Sequence, residues 1–237
     1  MKIPDGATLK KMLDGLFDLA LTGLPGEATA GDMAAEYLQT AGSLHEQTRR
    51  LVRWQVAKCA TSGFLTGLGG LLTLPVTVPA DLGANWYIQI RMVAVIAIMH
   101  GQDPRQDRVR TLVYLCLVGD GINEILKEVG IIVGKHAAKE LVERISGEAI
   151  RAINRAVGMR LVTKFGTKAP IKMAKAIPLV GGLIGAAFDG AACWAVAAAA
   201  MRVFGDGGDD GDSAASIRAP SGGPSSDSGA AGEAVSV

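Results

Sequence analysis

Two long apolar segments dominate the hydrophobic pattern of the chain, residues 61–100 and residues 178–204. The first contains only two acidic or basic side chains, and Pro75 and Pro79 separate its two apolar arms. Proline removes a backbone donor and disfavours helical geometry in the residue before it, so one continuous helix through this segment is not expected. We predict a helical hairpin whose turn lies at the two prolines.

The second apolar segment has the same high glycine content as the first. Each segment contains two glycines four residues apart, a spacing that lets helices approach closely in lipid or in a packed core. We therefore predict a domain built around two Gly/Pro-rich apolar helical hairpins. The residues assigned to hairpin packing are Gly63, Gly67, Gly70, Pro75, Pro79, Gly181 and Gly185.

The other segments before the C-terminal tail show apolar positions at the helical i, i+3, i+4 spacing. Residues 7–24 form one predicted helix, and Ser43 with Glu46 has the capping-box pattern that opens another. Asp103 is expected to cap a later helix whose first residue is Pro104. Because alternation of period two is rare, the pattern predicts a compact, multi-helix, all-α fold.

The composition changes at residue 205, where Gly, Ser, Asp and Pro replace the apolar pattern. From residue 206 onward there are six acidic side chains and one Arg, a net charge of −5. Since the whole chain carries +1, the body before the tail carries +6. We predict a single helical domain over residues 1–204 and an acidic, disordered tail over residues 205–237.

A basic amphipathic stretch precedes the second apolar segment, with ten Lys or Arg and three Glu between residues 135 and 175. Such a stretch is typical of proteins that bind an anionic membrane surface, and the alternative is an ordinary solvated helix face. Nucleic acid is disfavoured as a partner because there is no pattern of aromatic residues interleaved with the charges and +6 is a small net charge. The candidate membrane-binding or lipid-binding residues are Arg160, Lys164, Lys168, Lys172 and Lys175.

A polar stripe crosses the first apolar segment, because Asp81, Asn85 and Gln89 recur every fourth residue. An ionisable group in apolar surroundings needs a partner or water. The stripe could line a wet cavity or contact a lipid headgroup. It could also be a hydrogen-bonded device that fixes helix register, paired with Arg91 or with the backbone before Pro79. Asp189 is the corresponding acidic residue of the second apolar segment.

The sequence matches no catalytic or metal-binding template. Residues 45–49 lack the second His of a zinc-protease helix, and residues 130–136 are one residue short of a phosphate loop. Cys59, Cys116 and Cys193 have no metal or redox spacing and are predicted to be small core residues. We expect no metal and no cofactor. Aspartates interrupt any secretory apolar core near the N-terminus, which favours a cytoplasmic protein.

Several of these segments together resemble the EcsC family of bacterial proteins. The residues that carry the resemblance are GFLTGLGGLLTLPVTVPADL at 63–82, Gln89-x-Arg91, Gly101-Gln102-Asp103-Pro104, Asp107-x-x-Arg110 and Ile177-Pro178-Leu-Val-Gly181-Gly182-x-Ile184-Gly185-Ala186. The chain departs from the family pattern at Gln102-Asp103, where a Tyr and an acidic residue are common, and at Asp189, where Asn is common. The resemblance spans roughly residues 45–204. It implies a mostly helical cytoplasmic bacterial protein with a membrane connection, and it supplies no catalytic residues.

Three functions remain open at this point. The leading hypothesis is a non-enzymatic protein peripherally associated with the cytoplasmic face of the bacterial membrane, where it binds anionic lipid or a membrane protein. The second is a soluble helical interaction or adaptor protein, with both apolar segments buried against one another. The third is a lipid hydrolase that uses Asp81, Asn85 and Asp189.

Overall fold

A computed structural model describes residues 6–69, 74–131, 142, 145–166 and 178–205 of the chain. These residues form eight α-helices and one short 3-10 turn at Gly119–Gly121, with no strand among them, so the predicted all-α fold is confirmed. The helices are α1 Gly6–Thr22, α2 Ala30–Leu38, α3 Leu44–Gly69, α4 Leu74–Met99, α5 Asp107–Cys116, α6 Ile122–Glu128, α7 Gly147–Gly166 and α8 Pro178–Phe204. All but one residue of the predicted tail lies outside the described residues, so the domain boundary and the disorder of the tail stay predictions.

Helix α3 begins at the predicted capping box. The Glu46 backbone N–H donates to the Ser43 hydroxyl at 3.3 Å, and the Ser43 backbone N–H donates to the Glu46 carboxylate at 2.7 Å. These two bonds satisfy donors that a helix start would otherwise leave without partners. From there α3 runs without a break for 26 residues, so the basic segment and the first apolar arm are one helix.

The predicted position of the hairpin turn is wrong. Helix α4 begins at Leu74 and therefore contains both Pro75 and Pro79 in its first two turns, while the chain between α3 and α4 is residues 70–73, which lie outside the described residues. Pro75 lies in the first turn, where a missing N–H would have no helical partner, whereas Pro79 lies in the second turn and costs the helix one backbone hydrogen bond without ending it. The two prolines therefore follow the start of the second arm instead of forming the turn.

The predicted second hairpin is also wrong, because residues 178–204 form the single continuous helix α8. Its one proline, Pro178, is its first residue, and glycine in a helix interior weakens the helix without blocking it. Helix α8 packs along α3 and also contacts α4, α5 and the 3-10 turn. The approach to α3 is close at Gly190, where an added Cβ would lie 3.4 Å from the Ala60 Cβ.

Helix α4 is the centre of the core and contacts α1, α2, α3, α5 and α8. Apart from Arg91, every side chain from Ile90 to Ala97 is 0% exposed. A helix that is apolar on all sides and buried on all sides is expected only at the centre of a bundle.

Helix α5 begins later than predicted. The Asp103 carboxylate accepts a hydrogen bond from the Arg105 backbone N–H at 2.9 Å, which closes a local turn, and the helix starts at Asp107. An Asp side chain can bond a backbone N–H two residues on in a turn as readily as it caps a helix, so Asp-Pro marks the turn here.

Candidate functional site

The outer face of α8 exposes apolar side chains to solvent. Leu183 is 62% exposed, Ile184 42% and Phe188 45%, and Ala187 and Ala191 between and after them are also exposed. These five positions lie within one side of a helix that advances 100° per residue, and we call them the α8 apolar face. Among the described residues, one segment is long and apolar enough to cross a membrane, Gly182–Phe204, and only 33% of its most apolar window is buried.

The basic side chains proposed for membrane binding are only partly described. Arg160 lies on α7 and forms ion pairs with Glu124 at 2.5 Å and Glu128 at 3.5 Å, so α6 already occupies its guanidinium. These two carboxylates raise the pKa of Arg160. Lys164 lies within α7 by its backbone, while its side chain and residues 168, 172 and 175 lie outside the description. On the same helix Arg151, Arg155 and Met159 are exposed.

Of the three residues in the predicted polar stripe, the structure describes the side chains of two, Asn85 and Gln89, and these two are hydrogen-bonded to each other. The Gln89 side-chain amide donates to the Asn85 side-chain oxygen at 3.3 Å, and Gln89 is 6% exposed. The two amides are thus hydrogen-bonded within α4, but Arg91, the partner proposed for the stripe, bonds instead to Ala20, Ala28 and Tyr87. The Asp81 side chain lies outside the description, and Asp189 is half-buried on α8.

The three cysteines are buried and free, as predicted. Burial raises the pKa of the Cys116 thiol, and contact with Cys59 together with burial raises that of Cys193. High thiol pKa values disfavour the reactive thiolate. In the part of the chain that the structure covers, no group of three or more His, Cys, Asp or Glu could hold a metal ion. Of the glycines assigned to packing, Gly63 and Gly67 lie in α3 and Gly181 and Gly185 in α8, while Gly70 lies outside the described residues.

Arg91, one of the residues that carry the family resemblance, is buried in α4 at 3% exposure. Its guanidinium donates to the carbonyl of Ala20 in the last turn of α1 at 3.0 Å and to the carbonyl of Ala28 before α2. The Tyr87 hydroxyl lies 3.4 Å from the same guanidinium and donates to the Glu27 carboxylate at 2.5 Å. Arg91 therefore satisfies the Ala20 carbonyl, which the end of α1 leaves without a helical partner, and through Ala20 and Ala28 it fixes α1 and the start of α2 to the core.

Arg110 of α5, a second arginine of the resemblance, holds the middle of α1. It forms an ion pair with Asp14 at 3.1 Å, its guanidinium carbon lies 4.5 Å from the centre of the Phe17 ring, and Tyr114 donates to Asp14 at 2.9 Å. Burial alone would raise the pKa of Asp14, but the hydrogen bonds from Lys10 and Tyr114 and the Arg110 charge together lower it. Both arginines thus have structural roles.

Sequence reasoning missed a groove between α1, α3 and α4. It has a volume of about 670 Å³, and Trp54 of α3 forms part of its wall although the side chain is 58% exposed. The Lys58 ammonium lies 5.8 Å from the centre of the Trp54 ring. In the sequence, Trp54 could have indicated this groove. It shares a helix face with Arg50 and Lys58 at the i−4 and i+4 positions, and a core aromatic side chain rarely lies between two basic residues on one face.

The chain matches the model of the EcsC protein family over residues 7–205. No curated protein and no solved structure matches it. The family match covers every described helix except the first residue of α1, and it includes both arginines that fix α1. The chain therefore belongs to the EcsC protein family.

Proposed function

We propose that this protein binds peripherally to the cytoplasmic face of the membrane, with the α8 apolar face as its main contact. The observation that carries the proposal is the exposure of Leu183, Ile184 and Phe188 on neighbouring positions of one helix. Single exposed apolar side chains are ordinary, but a contiguous apolar patch marks a surface that contacts a membrane or another protein.

The free energy available from this face is sufficient for reversible binding. Fully burying a Leu, Ile or Phe side chain yields about 1.5–3 kcal/mol, and each of the three is already partly covered by its neighbours. Insertion to the level of the headgroups would bury the remaining apolar area and leave the buried side of α8 on α3.

Basic side chains on α7 support the same proposal. Arg151 and Arg155 are exposed at i, i+4 spacing, and the exposed Met159 lies four residues further on. Lys164 is a later basic residue of the same helix. Each basic side chain near an anionic surface contributes about 1 kcal/mol at most. Arg160 contributes less than its neighbours in this proposal, since Glu124 and Glu128 neutralise it.

Flotation of the purified chain with neutral and anionic vesicles tests the proposal. We expect binding that is strongest on anionic vesicles and that partly persists at about 1 M salt, where the Debye length is about 3 Å and charge attraction is screened. The triple variant L183S/I184S/F188S should lower the salt-resistant partition coefficient at least about 100-fold, which is about 2.7 kcal/mol.

The matched control is M12S/L38S, which removes two side chains of similar exposure, 38% and 42%, from α1 and α2. Its partition coefficient should equal that of the wild type. If the control loses binding as strongly as the triple variant, the α8 apolar face has no special role. If the wild type does not float at any salt concentration, membrane binding is wrong, and the same exposed face favours the alternative of a soluble interaction protein.

A further inference from the structure

The groove between α1, α3 and α4 is lined mainly by apolar side chains. Its floor and walls come from three separate helices and from the connection that follows α1. The apolar lining includes Leu16, Leu19, Leu24, Ala57, Ala84 and Ile88. Gly83 also lines it, and a Cβ added there would meet no atom within 4 Å. A pocket of this size and apolar character with a few polar groups is the usual form of a small-molecule site.

Three charged side chains line the groove, and two of them already have close polar partners. Arg91 donates to two backbone carbonyls, and Glu27 accepts from the Tyr87 hydroxyl, which holds the pKa of Glu27 below its usual range. Lys58 differs from both. Its ammonium faces the Trp54 ring, and within the described part of the chain no carboxylate lies within ion-pair distance of it.

The volume of the groove suits one hydrocarbon chain. A methylene takes roughly the space of one water molecule, about 30 Å³, so about 670 Å³ accommodates a chain of about 20 carbons. The two chains of a diacyl lipid would need about twice that space. Lys58 attracts Glu27 across the groove but has no carboxylate within ion-pair distance among the described residues, so the groove suits a ligand with one long chain and an anionic end that can approach the ammonium.

We propose that this groove binds a single long-chain fatty acid, with the hydrocarbon chain along α1, α3 and α4 and the carboxylate at the Lys58 ammonium. The Trp54 ring covers one side of the chain near its polar end, an arrangement that suits an aromatic side chain with one apolar surface and one wet edge. The site is separate from the α8 apolar face, so it does not depend on membrane docking.

Equilibrium dialysis of the full chain against radiolabelled hexadecanoate, below its micelle concentration and without vesicles, tests the site. We expect saturable binding of one hexadecanoate per chain. G83L should weaken binding at least about tenfold because the new side chain occupies the groove. The control is G158L on α7, another helical glycine whose added Cβ would meet nothing within 4 Å, and it should bind as the wild type does.

A second variant tests the anionic end of the ligand. K58M should weaken hexadecanoate binding about threefold to tenfold, as expected for a partly exposed ion pair, and leave the binding of neutral hexadecanol unchanged. Wild-type affinity in G83L would overturn the proposal, as would binding that never saturates. Loss of hexadecanoate binding in L183S/I184S/F188S would move the ligand to the α8 apolar face and also overturn it. Normal hexadecanoate binding with no vesicle flotation would support the groove while refuting the proposed membrane function.

Discussion

Helices α4 and α8 have nearly the same length, 26 and 27 residues, and both are strongly apolar. Yet their environments are opposite. Ile96 and its neighbours in α4 are 0% exposed, whereas Ile184 on α8 is 42% exposed. The part of α4 from Ile90 to Ala97 is enclosed by other helices, whereas α8 contacts α3, α4, α5 and the 3-10 turn and leaves its outer face open.

The surroundings of a charged residue also differ between the two helices. Arg91 of α4 is 3% exposed and bonds to carbonyls of other segments, whereas the Arg202 side chain of α8 is 44% exposed and lies 3.8 Å from Asp120. Apolar composition therefore does not distinguish a helix at the centre of the core from a helix with one exposed face. The number and arrangement of neighbouring helices decide between the two.

The largest expected effect comes from the same substitution made on each helix. Ile96→Ala should lower the free energy of unfolding by about 2–5 kcal/mol, because it leaves a cavity in the fully packed core. Ile184→Ala should lower it by much less, about 0.5 kcal/mol in the absence of lipid, since Ile184 is 42% exposed and its truncation leaves no enclosed cavity. Urea denaturation followed by circular dichroism measures both. Equal losses would show that another surface covers the α8 apolar face in solution.

The second comparison concerns Arg91 of α4 and Arg202 of α8. Arg91→Met should lower the free energy of unfolding by about 2–3 kcal/mol, because the carbonyls of the buried Ala20 and of Ala28 both lose a charged donor. Arg202→Met removes one exposed ion pair, which contributes about 0–1 kcal/mol. Proteolysis should cut the connection between α1 and α2 faster in the Arg91 variant alone. A small loss of stability in that variant would mean that Ala20 and Ala28 find other donors.

The smallest expected effect is a pH dependence of the free energy of unfolding that comes from Glu27, the hydrogen-bond partner of Tyr87 on α4. The hydrogen bond from Tyr87 lowers the pKa of Glu27 from its usual 4.5, so the ionised carboxylate stabilises the folded state. This stability is present above the unfolded-state pKa and is lost as the pH falls through the lower folded-state pKa. Glu27 is largely exposed, so the difference between the wild type and Glu27→Gln should stay below about 1 kcal/mol.

Tyr87→Phe provides the control for that pH dependence. It removes the donor and leaves the carboxylate in place, so it should flatten the same part of the stability curve at and below the usual glutamate pKa of 4.5. The double variant should then show no additional loss. If both single variants keep the wild-type pH dependence, another acidic group causes it.

Much of the local structure follows from short-range chemistry. The capping box at Ser43 and Glu46 and the pair formed by Asn85 and Gln89 join residues three or four positions apart. Such contacts depend on helix geometry alone, which is why the capping box could be predicted in full and the polar stripe by its position, although not by its partners. The two hairpin predictions were wrong because they used the positions of prolines and glycines as helix ends. A helix can begin just before a proline and can continue through glycines, so these positions do not fix where a helix starts or stops.

The all-α class, the capping box at Ser43 and Glu46 and the free, buried cysteines were determined by the sequence, because periodicity and local hydrogen bonding encode them. Only the tertiary structure decided that Arg91 reaches carbonyls 63 and 71 residues away, that three helices enclose a groove beside Lys58, and that α8 keeps one apolar side open. Those features depend on which helix faces meet. Apolar faces of similar composition can pair in several ways, and the packing of whole helices selects one of them.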